Sequence, residues 1–166
     1  MKNLFALSAL AVLMLAVACK GVDKELIGKM EADLSKMEGM APAFEALNTS
    51  ITNVVNQLNA APEAMKTESN AEYQNMLRIS NTMTQKYQAT LAEQSDLTGK
   101  LKTLIADYTS GKIKTEDAQK EYQTLSTAIQ GISDVMDRMN QRAERMQADF
   151  AKMSATWNAK AEEAAQ

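Results

Sequence analysis

Between residues 118 and 157 an apolar side chain recurs at every third or fourth position without one polar interruption. The series is Ala118, Tyr122, Leu125, Ile129, Ile132, Met136, Met139, Ala143, Met146, Phe150, Met153 and Trp157. Alternating steps of three and four average 3.5 residues, the period that keeps one seam of an α-helix turned toward partner helices. A helix with such a seam must bury it against other helices, so this stretch predicts a bundle. Thr115 followed by Glu116 and Asp117 marks its start, with a capping hydroxyl and acids at the positive end of the helix dipole. Gly131 is the only weak helix former and falls on the outer face.

Two further helices are expected. The second starts near Pro62, which suits a first-turn position. Its stripe is Tyr73, Met76, Ser80, Met83, Tyr87, Thr90, Gln94, Leu97, Leu101, Leu104 and Tyr108, widened by Leu77, Leu91 and Ile105, and it ends at Thr109-Ser110-Gly111. The first runs from about Val22 to Asn59 with the stripe Leu34, Met37, Ala41, Phe44, Asn48, Ile51, Val55 and Leu58; Met40, Leu47 and Val54 add a third column. Gly39 and Pro42 predict a bend or two collinear pieces, since proline removes an internal hydrogen bond. The expected fold is therefore all-α, an elongated antiparallel three-helix bundle with coiled-coil-like packing.

Composition agrees. Aromatic residues are 5% of the chain, with six glycines and two prolines, which argues against a sandwich or barrel. The formal net charge of −3 gives no reason to expect nucleic acid as a partner. There is no histidine, the commonest general base and metal ligand, and neither a glycine-rich phosphate loop nor a Gly-x-Ser-x-Gly elbow. No enzyme activity, metal or cofactor is expected.

The amino-terminal residues have a different pattern. Lys2 supplies a positive start, Leu4 to Leu15 is apolar except for Ser8, and Ala16-Val17-Ala18 leads into Cys19, the single cysteine. This segment resembles the export signal and lipobox of bacterial lipoproteins, although Ala16 stands where leucine is commonest. The resemblance covers these residues alone. It implies a signal peptide over 1–18, cleavage before Cys19, and acylation of that thiol and of the new amino terminus; with the apolar periodicity this gives a lipidated tether over 19–25 and a bundle domain over 26–166. Several acyl chains anchor stably where one does not, because each buried CH2 contributes ~0.8 kcal/mol. The implied protein is lipid-anchored in the bacterial cell envelope. Lys20 after the cysteine resembles release to the outer membrane in enteric-type sorting. Its expected role is binding, spacing or adapting, with another envelope protein or the cell wall as partner. The rivals are a surface-displayed lipoprotein that binds a host or competitor molecule, and a carrier of small apolar ligands.

Within the bundle, Met136, Met139, Met146 and Met153 share one face; a Cu(I) thioether site is the sharp reading and adaptable core filling the plain one. Tyr73, Tyr87 and Trp157 are either seam residues or a recognition patch. Asn48 and Gln94 fall where apolar residues are expected and are read as register devices or partly exposed positions ahead of ligand binding, Asn48 as a register device in particular. With turns centred near residues 61 and 112, Asn48 would lie beside Tyr73 or Gln74 and level with Phe150, and Leu26 level with Gln94–Asp96 and Ala128. The second and third helices would then overhang the first by about 13 residues, or ~20 Å. That overhang hangs the tip Thr109–Lys114 toward the lipid anchor, which makes Lys112 and Lys114 candidates for contact with the membrane surface.

Overall fold

The computed structural model describes residues 22–164, with side chains to residue 159. The elements are α1 (Lys24–Glu38), α2 (Ala41–Asn59), a single 3-10 turn (Glu63–Met65), α3 (Ala71–Thr109) and α4 (Thr115–Ala164), and no strand occurs among the described residues. The protein is an all-α three-helix bundle: α3 and α4 pair along their lengths, and α1 followed by α2 forms the third rod, each packing on both α3 and α4. At ~1.5 Å per residue the 50 residues of α4 span about 75 Å.

The seams of α3 and α4 are those expected from the sequence. In α4 the series from Ala118 to Trp157 is buried except for Tyr122, which is half-buried. In α3 the series from Tyr73 to Tyr108 is buried apart from half-buried Tyr87 and Gln94. The four α4 methionines are at most 7% exposed, which makes them core residues. Tyr73 and Trp157 are buried as well, with ring centroids 6.1 Å apart, so they are part of the core and not an exposed patch. Gly131 is exposed, on the outer face.

The first rod breaks where expected. Gly39 N–H donates to Ser35 O and Met40 N–H to Met37 O, a tightened last turn, and Pro42 sits in the first turn of α2. Gln94 of α3 reaches this break: its Nε2 donates to the Met37 carbonyl at 2.8 Å. A polar residue on the seam thus satisfies a carbonyl at the end of α1.

Three expectations fail. The seam of the first rod is Leu26, Met30, Met37, Phe44, Leu47, Ile51, Val54 and Leu58, with Asp33 and Met40 half-buried between them; Ala41 and Asn48 are exposed. Asn48 therefore is not a register device. Second, α3 begins at Ala71, not near Pro62. Pro62 is extended and leads only into the 3-10 turn, while Asn70 caps α3, its Oδ1 accepting from Tyr73 N–H and its Nδ2 donating to Met65 O. Third, the longer connection shifts the register. Asp23 meets Tyr108, Met37 meets Gln94 and Phe44 meets Tyr87, pairs centred on residues 65–66 and not 61. Tyr73 consequently lies far from Asn48, Leu26 lies near the Tyr108 level, and the 13-residue overhang does not exist: α1 extends to the hairpin tip.

Candidate functional site

The end of the bundle that carries the hairpin between α3 and α4 is also where the described chain begins. Three elements meet there on one hydroxyl. Asp23 N–H donates to Tyr108 Oη at 2.6 Å, and Tyr108 Oη lies 3.1 Å from Thr115 Oγ1. Tyr108 is buried, so its hydroxyl ties the entry to α1, the end of α3 and the start of α4 together. Asp23 also caps α1, its Oδ1 accepting from the N–H groups of Glu25 and Leu26.

The tip itself is a helix end closed by glycine. Gly111 has φ +75°, Gly111 N–H donates to Tyr108 O, and Lys112 N–H donates to Asp107 O, the pair of bonds that satisfies the last carbonyls of a helix. Ser110, Gly111, Lys112 and Lys114 are exposed, while half-buried Ile113 packs on the core. Lys112 Nζ lies 2.7 Å from Asp107 Oδ1, so part of its charge is matched locally. Farther along α3, Lys100 pairs with Asp96 and Lys102 with Glu38 of α1, each at 2.7 Å. Both candidate residues, Lys112 and Lys114, thus stand at the end from which the chain leads back toward Cys19. Cys19 and the signal-like segment lie outside the described residues.

A second polar cluster sits two to three turns inward. Asp33 Oδ2 accepts from Tyr122 Oη at 2.9 Å and from Ser126 Oγ at 3.1 Å. Burial first, and the bond to Asp33 second, hold the Tyr122 phenol above its ordinary value near 10. Lys29 is held above its ordinary value by its hydrogen bond and charge pairing with Glu25, 2.7 Å away.

Three clefts mark the outer grooves. One of about 410 Å³ and one of about 310 Å³ lie between α3 and α4, sharing Met76, Ile79 and Asp149; a third of about 560 Å³ lies between α2 and α4, bounded by Asn53, Gln57 and Phe150. Their rims are mostly exposed polar side chains. Sequence reading missed the first groove, because its walls come from segments some 60 residues apart in the chain. The one signal that could have pointed to it is the spacing of Arg138, Arg142 and Arg145 on α4.

Among the described residues there is no group of His, Cys, Asp and Glu side chains that could hold a metal ion. No described helix is long and apolar enough to cross a membrane. The chain matches no protein-family model, no curated protein and no solved structure.

Proposed function

We propose that this protein is a lipid-anchored rod of the bacterial cell envelope, acting as a binding, spacer or adaptor module with an acylated Cys19 at its membrane end. The observation that supports this most is the position of Asp23, four residues beyond Cys19 and hydrogen-bonded at the hairpin tip. Four extended residues reach only ~14 Å. An anchor at Cys19 therefore keeps the tip close to the lipid surface and sets the connection at residues 60–70 at the far end, ~60 Å away along α3. Lys114 and, less strongly, the Asp107-paired Lys112 then face anionic head groups, where a basic residue contributes ~1 kcal/mol. The partner in this reading is another envelope protein or the cell wall. Cys19→Ser tests it: the variant should leave the membrane fraction and take up no labelled fatty acid. A variant that stays integral to the membrane contradicts lipid anchoring.

A further inference from the structure

The chain has fourteen lysines and four arginines, and three of the four arginines stand together. Arg138, Arg142 and Arg145 follow one another by four and three residues on one flank of α4, and all three line the 410 Å³ groove between α3 and α4. Every ion pair among the described residues uses a lysine. The three arginines are exposed and make no ion pair or hydrogen bond among the described residues. Asp134, one turn before Arg138, accepts instead from Gln130 at 2.9 Å. Asp149 is the one carboxylate lining this cleft, and Glu72 and Lys152 join where the groove continues toward Thr156. In an acidic chain this is a local excess of positive charge held on planar groups suited to bidentate carboxylate recognition.

The arrangement selects among anions. At helical rise Arg138 and Arg145 are ~10 Å apart along the axis, with Arg142 between them. A single compact anion meets one of these groups, whereas carboxylates repeated every ~5–6 Å meet all three, and that is the spacing of acids at i, i+4 and i+7 on a helix. The groove between two antiparallel helices is also the place where a third helix lies down. Its floor is half-buried Ile79, flanked by the buried Met76 and Met146. It continues past Asp149 to Thr156, giving a run of ~27 Å, or about five turns. Leu91 is the only large apolar side chain classed as exposed among the described residues, so no broad apolar patch competes as a docking surface.

We propose that this groove docks an acidic amphipathic helix of a partner protein, its Glu or Asp side chains at i, i+4 and i+7 set against Arg138, Arg142 and Arg145. An apolar side chain of that helix rests on half-buried Ile79. This names a partner class for the binding role proposed above and is independent of lipid on Cys19, so it is tested in solution.

The probe is a fluorescent helical peptide of about 20 residues with Glu at i, i+4 and i+7 beside a short leucine column. The control peptide has the same composition with the acids scattered around the helix. At about 50 mM salt the full chain should bind the patterned peptide about tenfold more tightly than the scattered one, and the difference should shrink as salt rises. Arg138→Gln/Arg142→Gln/Arg145→Gln should lose that about tenfold preference, whereas Lys100→Gln/Lys102→Gln/Lys120→Gln should keep it. Circular dichroism should report an unchanged helical fold in both variants, because the substituted side chains are exposed. Equal binding of the two peptides, or an arginine variant that binds like the parent, overturns the proposal. So does arginine-dependent capture by anionic phospholipid vesicles in the absence of patterned-peptide binding.

Discussion

Asp33 stands on an apolar seam, and its surroundings explain why the bundle tolerates it. A carboxylate beside a core costs stability unless hydrogen bonds replace its water. Tyr122 and Ser126, one turn apart on α4, supply two. The same logic applies to Gln94 at the α1 break and to Tyr108 at the tip, and no buried side-chain nitrogen or oxygen among the described residues lacks a partner. Tyr122→Phe deletes one bond to a charged acceptor and should cost about 1–2 kcal/mol near neutral pH. The raised Tyr122 value adds a pH signature. The phenol's contribution is fully present below its unfolded value near 10 and is lost as pH climbs through the higher folded value. Urea unfolding at pH 7 and pH 11 should therefore show the parent's advantage over the variant shrinking at the higher pH. A constant difference would refute the role given to this bond.

The elements differ in how clearly the sequence specifies them. A column at 3,4 spacing runs the length of α4 and, with Ser80, Thr90 and Gln94 as its polar members, of α3, so the phase of each is legible. The first rod is ambiguous because its apolar residues come in adjacent pairs: Met40 with Ala41, Leu47 with the small polar Asn48, Val54 with Val55. Either member of a pair continues a seam, and only packing decides that Leu47 and Val54 are inside. The α2–α3 connection was misread because Pro62 opens an α-helix and a 3-10 turn equally well. The true start is set by Asn70, whose capping role depends on contacts to Met65 and Tyr73 that spacing does not reveal. The tip was legible, since Gly111 announces it. The arginine groove was not, because α3 supplies its other wall. A paired substitution in α4 tests the element. Ile132→Ala, at a site 1% exposed, should cost ~2–5 kcal/mol, while its neighbour Gly131→Ala should add about 0.5–1 kcal/mol because a Cβ there meets nothing within 4 Å. Thermal unfolding that moves both variants the same way would contradict the assigned faces.

At the scale of the whole molecule, α1 sets orientation. It runs to the hairpin tip, so the chain leaves the bundle beside Lys112 and Lys114, and an anchor at Cys19 would stand the rod on that end. The lysines then tune the attachment: Lys112→Glu/Lys114→Glu should move the tip away from anionic liposomes at low salt, an effect that fades as salt rises, without releasing an acylated chain. The Asp107 pairing makes Lys114→Glu alone the larger of the two single effects. The most direct measurement is a pair of distances on the acylated protein in liposomes, from a fluorophore at Ser110→Cys and from one at Glu63→Cys, each to an acceptor dye in the lipid head groups. Both positions are exposed and lie at opposite ends of the bundle. The account predicts the Ser110 label within about 30 Å of the lipid surface and the Glu63 label farther by about 50 Å, the length of α3 less a modest tilt. Equal distances, or a Glu63 label nearer the lipid, would contradict a rod anchored and standing on its hairpin tip.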